Sequence, residues 1–76
     1  MNSILIRLII VESNKEYNVL FDRCFSIEEN LMLLGNIIGI DFNDCFVYDD
    51  MLNIFLDKTI SFDKYNMPSS RTLYIY

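Results

Sequence analysis

Cys24, Cys45 and the aspartates Asp41, Asp44, Asp49 and Asp50 are the side chains of this sequence whose chemistry could reach beyond solubility. Thiols can pair, cycle through oxidation states or ligate a metal. Zinc-binding cysteines come as closely spaced pairs, because a tetrahedral ion draws its ligands from tight turns. Cys24 and Cys45 lack that spacing, and two cysteines do not define a disulfide framework. Each stands next to a phenylalanine, Phe25 and Phe46, so both read as buried thiols acting as small hydrophobes, with a disulfide or redox role as the alternative. The aspartates do not follow the calcium-loop spacing with its closing glutamate. They read as turn residues, since Asp hydrogen-bonds its own neighbouring backbone. The chain has no histidine, which removes the commonest general base near neutral pH and the commonest metal ligand. Gly35 and Gly39 are its two glycines, too few for a phosphate-cradling loop. Ser69-Ser70 beside Arg71 is a polar turn, with phosphorylation as the alternative. The residues therefore point to a protein that is not an enzyme and uses neither cofactor nor metal.

The charge balance narrows the partners. A net charge of −5, with the cations Arg7, Lys15, Arg23, Lys58, Lys64 and Arg71 scattered, disfavours nucleic acid and anionic membrane surfaces, which are held by clustered Lys and Arg. Ile4 to Val11 is the most apolar run, far too short to span a bilayer. It is preceded by no basic residue and followed by no small-residue cleavage site, so it reads as a strand of a cytoplasmic protein without membrane insertion. With 76 residues, 53% of them hydrophobic, the sequence is expected to form one domain, 1–76, whose aromatic load supplies a core without staples.

The elements that would carry these residues are legible in outline. Ile4 to Val11 is β-branched and aliphatic, suiting a central strand. Glu12 to Glu16 is a polar turn, and Tyr17 to Asp22 alternates with Tyr17, Val19 and Phe21 on one face, completing a hairpin. Ser26-Ile27-Glu28-Glu29 is a capping box with acidic residues at the positive end of the helix dipole. Ile27, Leu31, Leu34 and Ile38 form one helical stripe, and Gly39 is the natural stop. Gly35, unfavourable inside a helix by up to about 1 kcal/mol, would serve close packing on the sheet. Cys45 to Tyr48 is a short strand, Asp49-Asp50 a turn, Leu52 to Leu56 a further extended piece, Asp57-Lys58 another turn, and Thr72 to Tyr76 the closing strand. One helix and five strands in the order β-β-α-β-β-β give an α+β domain of two layers.

Several of these segments together resemble ubiquitin. Ser26-Ile27-Glu28 through Gly39-Ile40 is similar to its capped helix, Phe46-Val47-Tyr48 to the strand bearing its exposed isoleucine, Thr59-Ile60-Ser61 to its Thr-Leu-Ser, and Tyr65-Asn66-Met67 to its Tyr-Asn-Ile. Two residues around Phe62 to Lys64 are extra. The resemblance implies a ubiquitin-like β-grasp fold with a mixed sheet and one helix across one face. The sequence ends in the last strand without Gly-Gly, and Leu52 falls near a chain-forming lysine, so conjugation is not expected. Among tail-less members, the chain is most similar to the small YukD/EsaB-type accessory proteins of Gram-positive type VII (ESX-like) secretion systems. Its Ile, Asn, Lys, Tyr and Phe usage fits a low-GC bacterium.

Under this resemblance Val47, Leu73 and Ile75 point at the helix, and strand alternation then places Tyr48, Tyr74 and Tyr76 on the opposite, open face. Ile4, Ile6, Leu8 and Ile10 point inward, which leaves Leu5, Ile9 and Val11 outside with Arg7. Leu5, Arg7, Ile9, Tyr48, Tyr74 and Tyr76 are the expected protein-binding face, since exposed aromatics with a flanking Arg have interface composition. The expected role is a non-enzymatic, cytoplasmic adaptor docking on a larger protein, such as a secretion ATPase or membrane component. The alternatives are a homodimer or other self-associating module, a recruitment domain of a larger protein, and a truncated modifier or sulfur carrier.

Overall fold

Eight residues of nearly unbroken aliphatic character, Ser3–Ile10, form strand β1, an interior strand of the sheet. The computed structural model describes residues 2–67 and 69–76; Met1 and Pro68 lie outside the described residues. After a turn in which Asn14 takes a left-handed conformation, β2 (Lys15–Asp22) runs back antiparallel to β1. Helix α1 (Ile27–Ile38) follows, then β3 (Val47–Asp49), β4 (Ile54–Phe55), a 3-10 turn (Phe62–Tyr65) and β5 (Arg71–Ile75). The sheet order is β2-β1-β5-β3-β4. β1 and β5 are parallel and the other pairs antiparallel, so the sheet is mixed, and α1 packs across one face.

The helix begins where the capping box predicts. The Glu29 N–H donates to Ser26 Oγ at 3.1 Å, and the Ser26 N–H donates to the Glu29 carboxylate at 3.2 Å. Two more N-terminal donors are taken by the returning chain, Ile27 N–H by the Ile60 carbonyl and Glu28 N–H by that of Lys58. Helix starts leave such groups orphaned; here the segment before the 3-10 turn satisfies them. Gly39 ends α1 in the left-handed conformation at φ 74°.

Ile27, Leu31 and Leu34 of the helix stripe are buried against Ile4, Ile6 and Leu8 of β1, Val47 of β3 and Leu73 and Ile75 of β5, while Ile38 and Ile10 pack partly buried at the margin. Phe21 and Phe62 close one end of this core with ring centroids 6.0 Å apart.

The structure differs from the sequence reading at several points. Asp49 is the last residue of β3 rather than a turn residue, and it is fully buried, paired with buried Arg71 of β5. By alternation with Val47 and Leu73 both sit on the inward side, where neither is tolerated alone but each neutralises the other. The extended piece expected over Leu52 to Leu56 shrinks to Ile54–Phe55, because Asn53 takes a left-handed turn at φ 59°. Gly35 faces the returning loop rather than the sheet: a Cβ there would stand 2.3 Å from the Ile40 carbonyl oxygen. Cys24 is exposed and Cys45 only partly buried; Phe25, the neighbour that suggested burial for Cys24, is itself exposed.

Candidate protein-binding face

One rung crosses all five strands on the face away from α1. Glu16 of β2 lies opposite Ile9 of β1, Ile9 opposite Tyr74 of β5, Tyr74 opposite Tyr48 of β3, and Tyr48 opposite Phe55 of β4. A sheet's side chains alternate between faces, so all five project to the same side. The neighbouring rung brings Arg7 beside Asn18 and Thr72, and the next Leu5 beside Leu20. The six residues Leu5, Arg7, Ile9, Tyr48, Tyr74 and Tyr76 therefore do share one face, with Leu5 and Tyr76 exposed and Ile9, Tyr48 and Tyr74 partly so.

Two residues join them that sequence reasoning missed. Phe55, 58% exposed, sits among three other rings, with centroids 5.2 Å from Tyr48, 5.9 Å from Tyr76 and 6.2 Å from Phe46, each in an edge-on arrangement. That geometry suits the ring quadrupoles. Phe46, 65% exposed, precedes β3 but continues its pairing: the Phe46 N–H donates to the Tyr76 carbonyl and the Tyr76 N–H to the Phe46 carbonyl, both at 2.9 Å. Phe46 stands two residues before Tyr48, so period-two alternation already carried that signal. Phe55 became visible only through its register with Tyr48.

The polar frame is specific. The Tyr48 hydroxyl donates to the Asn53 side-chain oxygen, fixing the ring. Arg7 donates to Glu16 at 2.8 Å on the exposed surface; this hydrogen bond holds the Glu16 carboxyl below its ordinary range and raises Arg7. Elsewhere, partial desolvation by its neighbours and a hydrogen bond to Asp63 push the exposed Cys24 thiol up, and burial does the same for Cys45. Both thiols are thereby poorer nucleophiles at neutral pH, since the thiolate is the reactive form. The aspartates do not converge: Asp41 accepts from the Asn43 N–H within its own turn, and Asp49 is committed to Arg71. Among the described residues, no group of three or more His, Cys, Asp or Glu side chains is placed to hold a metal ion. No helix among them is long and apolar enough to cross a membrane.

Comparison of the whole structure with solved ones places this arrangement. The ubiquitin-like domain of an Arabidopsis thaliana protein superposes with a TM-score of 0.78 at 13% identity, over 100% of this chain and 78% of that one. A protein designed on the basis of ubiquitin gives 0.77 at 20% identity, over 99% and 88%. The fold is ubiquitin-like. The UBL domain of yeast Ddi1 is similar as well, with a TM-score of 0.70 at 14% identity over 99% and 88% of the two chains. No protein-family model and no curated protein matches the sequence. At these identities the likeness concerns the ubiquitin-like fold and leaves the occupant of the aromatic face to be argued from its own chemistry.

Proposed function

We propose that this ubiquitin-like domain is a non-enzymatic docking module that binds a partner protein through the open face of its sheet. The observation that carries the reading is the ring cluster of Phe46, Tyr48, Phe55 and Tyr76, packed on one another yet left facing solvent. Aromatic side chains bring large contact area, and a central aromatic group ringed by polar residues is the usual anatomy of a binding hot spot. Arg7 and Glu16 lie at the margin of the same face, where charge serves orientation more than affinity.

The finer assignment is a cytoplasmic accessory component of a type VII secretion system, docking on a secretion ATPase or membrane component. Its support is the resemblance of the sequence to small YukD/EsaB-type proteins.

The test is a crosslinked pull-down from native lysate with the wild-type domain beside a Tyr48→Ser, Tyr76→Ser double variant. Truncating hot-spot aromatics costs about 2 kcal/mol or more each, so recovery of the partner is expected to fall at least about thirtyfold while thermal unfolding stays cooperative. Recovery of a secretion-apparatus subunit by the wild type alone supports the finer assignment. Equal recovery by both proteins refutes the open face, and recovery of the domain alone replaces the docking reading with self-association.

A further inference from the structure

Where the parallel strands β1 and β5 both finish, a hollow of about 370 Å³ opens beside the loop that leads from α1 to β3. Its floor is apolar. Phe42 and Ile75 are buried there, and Ile10 and Ile40 are partly so. Its rim is acidic. Glu12 from the turn after β1 and Asp41 and Asp44 from the loop line the hollow, and all three are exposed. Among the described residues none of the three takes part in an ion pair, and the lining contains no cation. Lys58 lines the neighbouring depression instead, and its ammonium donates to the Asn43 carbonyl at 3.3 Å. Like charges gathered around apolar walls repel one another more than they would in open water.

The hollow is continuous with the ring cluster. Tyr76 belongs to both: it lines the hollow, and its ring packs against Phe55 with centroids 5.9 Å apart. A chain lying on the rings therefore passes the mouth of the hollow.

We infer that the hollow is the specificity pocket of the docking face, receiving an arginine side chain that the partner protein carries next to the apolar residues it lays on the rings. The inference rests on the docking reading above and names the chemistry of that partner. An apolar floor under an acidic rim matches a side chain with an apolar stem and a charged head. The volume lies near the lower end of the ~300–1,000 Å³ usual for binding pockets, room for one long side chain but not for a helix. Arginine suits the rim better than lysine, because its planar guanidinium meets carboxylates through several N–H groups and stacks on aromatic rings such as Tyr76. A net charge of −5 attracts a basic segment and opposes a second copy as the occupant.

The probe is a capped peptide, Ser-Leu-Trp-Arg-Leu-Ser, titrated into the isotope-labelled full chain and followed by NMR. Beside it runs a copy in which citrulline, similar in shape but uncharged, replaces the arginine. The expected result is saturable shifts at the Glu12, Asp44 and Cys45 amides and the Ile10 and Ile75 methyls, together with the ring signals of Phe55 and Tyr76. The citrulline copy is expected to bind at least about tenfold more weakly, equivalent to ~1.4 kcal/mol. A Glu12→Gln, Asp44→Asn double variant is expected to lose the same factor for the arginine peptide. Its unfolding midpoint is expected to stay unchanged, because both side chains are exposed. No saturable shift in the hollow, or equal binding of the arginine and citrulline peptides, would overturn the pocket. A lysine copy that binds as tightly would overturn the choice of arginine. Phe55→Ser separates the pocket from the rings, since Phe55 packs in the cluster and does not line the hollow. Shifts in the hollow that survive Phe55→Ser at full affinity would overturn the ring cluster as anchor and leave the pocket standing.

Discussion

Of the ion pairs among the described residues, Asp49–Arg71 is the one buried on both sides. The Arg71 guanidinium donates to both carboxylate oxygens of Asp49, with Nε at 3.4 Å from Oδ1, and the Met51 N–H donates to the same Oδ1 at 3.2 Å. The carboxylate thereby ties β5 to the turn that follows β3. Removing one partner of a buried pair strands the other charge, which costs about 3–5 kcal/mol, a large share of the ~5–15 kcal/mol that holds a small domain together. Asp49→Asn is expected to lose that amount in urea unfolding. The Asp49→Leu, Arg71→Met double variant, with no charge left to strand, is expected to recover most of it. If the double variant is as unstable as the single one, the pair is held for its geometry and the stranded-charge account is wrong. Neither residue could be paired from sequence: they stand 22 positions apart, and Asp beside Asp looks like a turn until β3 is known to include the first of them.

Among the elements, the helix was legible and the second half of the sheet only partly so. A capping box spans four residues and a Gly stop one, so both ends of α1 are written locally. The alternation of β1 is equally local, and it placed Ile4, Ile6 and Leu8 inside and Leu5 and Arg7 outside. β3 and β4 have three and two residues, too short for any period to show, and their limits come from pairing with β5 and from the turn at Asn53. That is why Phe55 was absent from the expected face although its partner Tyr48 was present. Gly35 makes the close approach its place in the helix suggests, but to the Ile40 loop instead of the sheet. An alanine there gains about 1 kcal/mol in helix propensity. Its Cβ would however meet backbone at 2.3 Å, and a carbonyl cannot rotate aside as a side chain can. The clash is expected to win: Gly35→Ala should destabilise by about 1–3 kcal/mol, the usual cost of overpacking, with thermal unfolding as the check. A stabilised variant would mean that the Ile40 loop yields freely.

For the molecule as a whole, acid is the informative perturbation. Glu16 is held below its ordinary value by the Arg7 hydrogen bond, and Asp57 by hydrogen bonds from the Thr59 hydroxyl and N–H. A carboxyl with a lowered folded value contributes stability that is complete above its unfolded value, about 4–4.5, and is lost as pH falls through the folded one. The unfolding midpoint is therefore expected to decline on acidification below about pH 5, and Asp57→Asn to flatten that decline. Identical pH profiles for variant and wild type would remove Asp57 from the account. The topology has a separate, mechanical consequence. β1 and β5, which lie far apart in sequence, are side by side and parallel, joined over the rungs from Ile6–Arg71 to Ile10–Ile75. Tension applied between the start of β1 and the end of β5 would slide the two strands along each other and load every rung at once instead of opening them one by one. A domain of this size wired in that way should resist pulling far better than its modest core suggests.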